Sequence, residues 1–151
     1  MPPGADPGDA EEGFALDARL AADTVPLGRF PLSLLLLMDD ATYPWCVLVP
    51  RRAGVTEIFQ LAPDDRAQLL AESCHLAEAL VERFAAHKLN VAALGNVVPQ
   101  LHLHHVARFR HDPAWPHPVW GRAPRVPYDG QGIAAFRERL RPALAAGFRA
   151  D

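Results

Sequence analysis

Asn96-Val97-Val98-Pro99-Gln100-Leu101-His102-Leu103-His104-His105-Val106-Ala107-Arg108 sets the terms for the whole chain. Three of the seven histidines fall within it, in an apolar, β-compatible run that follows a turn signal at Gly95-Asn96. In a strand, alternate side chains share a face. Gln100, His102, His104, Val106 and Arg108 then project one way, and Leu101, Leu103, His105 and Ala107 the other. Two imidazoles stand side by side, with an amide before them and a guanidinium beyond. An imidazole is a nucleophile at neutral pH without prior deprotonation of a hydroxyl or thiol, and a second imidazole can hold its orientation. Histidine chemistry leaves three readings open here: catalysis, metal ligation by a His-x-His pair, and half-buried structural residues.

Pro99-Gln100-Leu101-His102-Leu103-His104-His105-Val106-Ala107-Arg108 resembles the signature of the histidine triad (HIT) nucleotide hydrolases and transferases, His-φ-His-φ-His-φ-φ with φ apolar. In that family the middle histidine is the nucleophile, which forms a covalent nucleotidyl intermediate, and the flanking histidines bind and orient phosphate. The resemblance makes His102 the nucleophile and His104 the third member, with Gln100 at the first position as a departure from the pattern. A register beginning at His102 would need a histidine at position 106, where Val106 stands. Gln100 keeps a hydrogen-bonding group but cannot titrate. His105, on the opposite face, falls outside the triad.

The resemblance implies an α+β, HIT-like fold, with an antiparallel sheet of about five strands packed with one long and one C-terminal helix. It implies a nucleotide substrate with a phosphoanhydride or phosphoramidate linkage, such as a dinucleoside (diadenosine) polyphosphate or a nucleoside phosphoramidate, attacked at its α-phosphate. It also implies a homodimer. Gly95-Asn96 stands where the family has a phosphate-contacting turn, and backbone N–H groups from Gly95 through Asn96 and Val97 to Val98 are expected near the phosphate. Asn90 resembles a polar residue that contacts the nucleotide. Asp39 or Asp40 resembles, by placement, the polar residue that approaches the ribose. Asparagine beside glycine and aspartate in a turn are equally ordinary turn residues. Val49-Pro50-Arg51-Arg52-Ala53 resembles the family's Val-x-Pro-basic segment, with Ala53 where some branches carry histidine. No cofactor and no metal are expected, because two same-facing histidines fall short of the three protein ligands usual for catalytic zinc. The alternative is a nucleotide-binding protein with little turnover.

At 151 residues and a net charge of -3, the chain fits one domain with a sizeable core, and neither disorder nor the coating of a nucleic-acid polymer is favoured. Residues 1–12 hold four acids and no base, which suggests a mobile acidic tail before a single domain over 13–151. From Arg108 onward eight arginines face four acids, a balance suited to anionic ligands or simply to solvation. Cys46 and Cys74 form no disulfide framework, so a reducing, cytoplasmic setting is expected. The longest apolar run, Leu34 to Met38, is far short of the about 20 residues that span a membrane, and no secretory leader is expected.

Along the chain, Asp17 is suited to cap a short helix over Ala18 to Asp23. Thr24 to Pro31, punctuated by Pro26, Gly28 and Pro31, reads as a connection. Ser33–Met38 and Trp45–Val49 read as an antiparallel pair. Arg51 and Arg52 are expected in solvent. Pro63-Asp64-Asp65 opens a long helix to about His87, with Leu70, Cys74, Ala77, Val81 and Phe84 as its core stripe and Glu72 and His75 outside. Lys88–Leu94 reads as the strand before the histidines. Residues 109–128, rich in proline and tryptophan, read as an ordered loop pinned by Trp115 and Trp120, or as one that completes a dimer-mate's site, with His111 and His117 as weak ligand candidates. A terminal helix over 131–146 carries Ile133, Phe136, Leu140 and Leu144 inward, with Pro142 ending or kinking it.

Overall fold

The computed structural model describes residues 13–144 and 147–151, so the acidic segment expected as a tail, and the last two residues of the expected terminal helix, lie outside the described residues. The elements run α1 (Ala18–Asp23), β1 (Thr24–Arg29), β2 (Ser33–Met38), β3 (Trp45–Pro50), α2 (Pro63–Phe84), β4 (Lys88–Ala92), β5 (Leu103–Arg108), α3 (Gly130–Leu140) and β6 (Arg149–Ala150). One open sheet joins the strands in the order β4-β5-β3-β2-β1-β6, each neighbouring pair antiparallel. The architecture is α+β, with six strands among the described residues where about five were expected.

The surplus comes largely from β1, which the sequence presented as a connection. Pro26 cannot donate to a ladder, yet it pairs with Leu36 because the register shifts between Pro26 and Gly28, and the two-residue β6 covers only Gly28 and Arg29 on the outer side. Gly28 is obligatory: its φ is +152°, and a Cβ there would collide with the Arg149 carbonyl and the Phe148 ring. The hairpin β2–β3 and the antiparallel pair β4–β5 form as expected.

Each face of the sheet buries a separate cluster. Leu35, Leu37, Cys46, Leu48, Leu101 and Leu103 pack beneath Leu69, Leu76 and Leu80 of α2 and Phe136 and Leu140 of α3. On the reverse face, Leu36, Trp45, Val47, Val49 and Val106 pack against Leu20 of α1, Val98, and Ala114 and Val119 of the proline-rich segment. This second face carries the triad-like histidines.

Two expectations are corrected. Helix α2 turns a different stripe inward: Glu72, Ser73 and Leu76 are buried, whereas Leu70 is 65% and Val81 43% exposed and Cys74 is exposed. Glu72 goes inside because its carboxylate accepts from the backbone N–H groups of Leu32 and Ser33, both at 2.9 Å, which gives a buried charge the partners it requires. Arg51 is likewise buried rather than solvated, donating to the carbonyls of Phe30, Pro31 and Leu32. Arg52 pairs with Asp65 at 2.7 Å. These contacts tie the β1–β2 turn to α2 and to the end of β3. Helix α3 stops at Leu140, ahead of Pro142, as proline's missing N–H demands, and a single 3-10 turn follows.

Candidate active site

His102 sits one residue before β5, and its Nδ1 lies 2.7 Å from the Gln100 carbonyl oxygen. A carbonyl only accepts, so Nδ1 carries a proton and the neutral ring presents its lone pair at Nε2. His104, on β5 opposite Val47 and Ala92, meets the Trp45 indole N–H, which donates to its Nδ1 at 3.0 Å. An indole only donates, so the neutral His104 ring carries its proton on Nε2. Burial first, then the neighbouring His102 and His105, press the His104 pKa down to about 3. The ring is therefore neutral across the physiological range. The two ring centroids are 4.9 Å apart, so an unprotonated nitrogen on His102 and an N–H on His104 share one site.

His105 points to the other face, as alternation requires. Its Nδ1–H donates to the Leu103 carbonyl at 3.2 Å, and its Nε2 accepts from the Ser73 hydroxyl at 2.7 Å. Burial lowers its pKa to about 4, partly opposed by the Leu103 bond. It holds β5 to α2 and takes no part in the site.

A cavity of about 300 Å³ opens in front of the pair. Arg19, Leu20 and Asp23 of α1 form one wall, Leu94 to Val98 a second, and Met38 and Trp120 the remainder, with His102 and His104 exposed to it. Gly95 turns the chain there with φ +73°, a left-handed conformation that glycine adopts without strain. Gly95, Asn96 and Val97 thus lie beside the histidines, where the sequence put them. Trp120 makes edge contacts with His104 at 5.1 Å and Trp45 at 5.6 Å between ring centroids. The loop tryptophan therefore reaches the site of its own chain.

The remaining candidates are turned to other partners, and neither Asn90 nor Asp39 lines the cavity. Asn90 lies opposite Val106, and its amide oxygen accepts from Arg108 at 2.7 Å. The Asp39 carboxylate accepts from Arg125 at 2.9 Å and from the Tyr128 N–H at 2.8 Å, which fastens the segment after the tryptophan loop to the end of β2. Asp40 accepts from the N–H groups of Thr42 and Val126. Gln100 spends its amide on the N-terminal segment: Nε2 donates to the Ala15 carbonyl at 2.8 Å, and Oε1 accepts from the Asp17 N–H at 2.9 Å. Arg108, at the far end of the histidine row, pairs with Asp112 at 2.8 Å and lies against Tyr43 and Trp115. Among the described residues no group of three or more His, Cys, Asp and Glu side chains is gathered to hold a metal ion.

Sequence reasoning missed the partnership of Trp45 with His104 and the wall built by α1. An indole inside an apolar strand signals that an acceptor must be near, which could have flagged Trp45. Nothing local marks Arg19, Leu20 or Asp23.

The HIT domain family matches residues 19–111 of the chain. Among solved structures, a histidine triad protein from Marinobacter aquaeolei VT8 is 51% identical, covering 89% of this chain and 98% of its own, with a TM-score of 0.86. A histidine triad protein from Bradyrhizobium japonicum is 44% identical over 87% of this chain and 98% of its own, TM-score 0.85. One from Sinorhizobium meliloti 1021 is 42% identical with the same coverages, also at TM-score 0.85. Among curated proteins none matches the chain.

Proposed function

Because the chain belongs to the histidine triad (HIT) family, we propose that it is a nucleotide hydrolase or nucleotidyl transferase that works through a covalent nucleotidyl-His102 intermediate. The observation that carries this reading is the pair of ring hydrogen bonds, His102 Nδ1 to the Gln100 carbonyl and the Trp45 indole to His104 Nδ1, which in the neutral rings set a lone pair on His102 Nε2 beside an N–H on His104 Nε2. His102 Nε2 attacks the α-phosphorus, an N–P bond forms, and the leaving group departs with the electron pair of its P–N or P–O bond, an amine taking up a proton from solvent that the water of the second step returns. Water then attacks the same phosphorus, the N–P bond breaks, and the nucleoside monophosphate leaves as His102 recovers its lone pair. The His104 N–H and backbone N–H groups between Gly95 and Val98 are suited to the phosphoryl oxygens.

Charge favours one substrate over the other. Arg19 is the lone cation among the described residues that line the cavity, and Asp23 stands 3.8 Å from it. A polyphosphate brings several negative charges that such a wall does not balance, so a nucleoside phosphoramidate fits better than a dinucleoside polyphosphate. Leu20, Met38, Leu94 and Val97 offer apolar surface for a base. Asn90 and Asp39 act in this reading as supports for the walls. The reading includes a homodimer, supported by the exposed stripe of α2, and a cytoplasmic setting, consistent with two unbridged cysteines. No helix among the described residues is long and apolar enough to cross a membrane.

The test is to mix the protein with labelled adenosine phosphoramidate and quench in alkali, where phosphorus bound to a histidine nitrogen survives. An adduct that maps to His102 and disappears in His102→Ala is expected. Binding with neither adduct nor product selects the non-catalytic nucleotide binder, and an adduct on His104 or His105 overturns the assignment of roles.

A further inference from the structure

We infer that Gln100 is a positioning residue: its side-chain amide fastens the N-terminal segment so that α1 forms the wall of the nucleotide cavity. The inference rests on the nucleotide reading above and deepens it. Gln100 stands at the position where the resemblance expects a phosphate-contacting histidine, but both ends of its amide are engaged elsewhere.

The geometry is specific. The donor of the amide meets the Ala15 carbonyl and the acceptor meets the Asp17 N–H, which are the two groups flanking Leu16 that a neighbouring strand would use. The side chain therefore replaces a strand for one residue, and its orientation is forced, because reversing it would set oxygen against oxygen and N–H against N–H. Asp17, held at its N–H, turns its carboxylate to the first N–H groups of α1, accepting from Arg19 at 2.8 Å and Leu20 at 3.4 Å. Phe14 and Leu16 on either side pack against the cluster that includes Trp45, Val98 and Val106. Arg19, Leu20 and Asp23 are then presented to the cavity.

Helix α1 has only six residues, too short to persist without such anchorage. The backbone carbonyl of the same glutamine receives the His102 Nδ1–H at 2.7 Å, so wall and nucleophile are referenced to a single residue. An imidazole at this position cannot reproduce the clamp, since its two nitrogens diverge rather than lying side by side as amide oxygen and nitrogen do. A carboxylate keeps the acceptor but faces the Ala15 carbonyl with a second oxygen.

The experiment compares wild-type protein with Gln100→Glu and Gln100→His, using adenosine monophosphate as the binding probe, adenosine phosphoramidate as substrate, and hydrogen exchange at residues 15–21. Loss of one clamp bond predicts exchange about tenfold faster at Asp17 and through α1, and adenosine monophosphate bound about tenfold more weakly. KM should rise by a similar factor, with kcat falling less than about threefold, because His102 and His104 keep their own partners. Gln100→His should show the same losses and no gain in turnover. Unchanged exchange in both variants overturns the inference, as does faster exchange with unchanged affinity, and so does faster turnover in Gln100→His. If wild-type protein binds no adenosine monophosphate, the nucleotide reading falls and takes this inference with it. Wild-type binding that the variants leave unchanged removes this inference alone.

Discussion

His104 and His105 are neutral because they are buried, and their depressed pKa values make the fold sensitive to acid. Each imidazole takes a proton near pH 6.5 in the unfolded chain but only near about 3 and about 4, respectively, in the folded one. Between those limits the unfolded state binds more protons. Their contribution to stability is therefore complete above the unfolded value and is lost as pH falls towards the folded values. Each group accounts for roughly 1.4 kcal/mol per pH unit below about pH 6.5, so urea unfolding at about pH 5 should show roughly 4 kcal/mol less stability than at about pH 7. Substituting His105→Leu should remove about half of that dependence. A stability flat over this range would contradict the burial of the pair. Asp112 titrates below this window: burial pushes its carboxyl up, but the Arg108 hydrogen bond, the Phe109 N–H, the Arg108 charge and the Trp115 N–H outweigh it and hold it near about 2.

The segment after β5 shows how a stretch without regular structure is kept in place. Pro113, Pro116 and Pro118 deny 109–120 a ladder or a helix, so side chains have to supply its anchorage. The Arg108 and Asp112 side chains are only 1% and 4% exposed. Asp112 also accepts from the N–H groups of Phe109, Ala114 and Trp115, closing the turn on itself. Trp120 is thereby delivered to His104. Removing one partner of a buried pair strands the other charge, so Arg108→Ala should cost about 3–5 kcal/mol in urea unfolding. The same variant should shift Trp120 emission to the red as the loop leaves the site. A loss below about 1 kcal/mol would mean that packing of Trp115 and Val119 alone secures the loop.

At the scale of the whole molecule, two features of the surface point the same way. Strand β4 is an edge of the sheet, and its Val91 is 49% exposed. Beside it runs the outward stripe of α2 with Leu70 and Val81, and a groove lined by Ala77, Val81 and Leu89, with Glu78 and Glu82 at its sides, lies between helix and strand. An open edge next to an apolar stripe is a surface that a second copy would cover by two-fold symmetry, with β4 meeting β4. Light scattering should accordingly give a homodimer at micromolar concentration, and Val81→Glu should shift it to monomer. A wild-type monomer at that concentration rules out the assembly.

Much of this was legible in the order of residues. Alternation around His102, His104 and His105 assigned each to its face, the apolar runs at Ser33–Met38 and Trp45–Val49 announced the hairpin, and Pro63 and Pro142 marked where α2 begins and where α3 cannot continue. These are local rules, in which a residue's period or its missing N–H acts on neighbours a few positions away. Helical period alone could not choose between the two apolar stripes of α2, because a repeat shows that a face exists and not which face meets the sheet. The choice fell to Glu72, whose partners Leu32 and Ser33 lie about forty residues earlier. Gln100 was similarly ambiguous, since an amide in an extended run serves a phosphate or a backbone equally well. Only the fold brought Ala15 and Asp17 within reach across more than eighty residues, and a hydrogen bond between groups so distant in sequence leaves no trace in either stretch until the chain is closed.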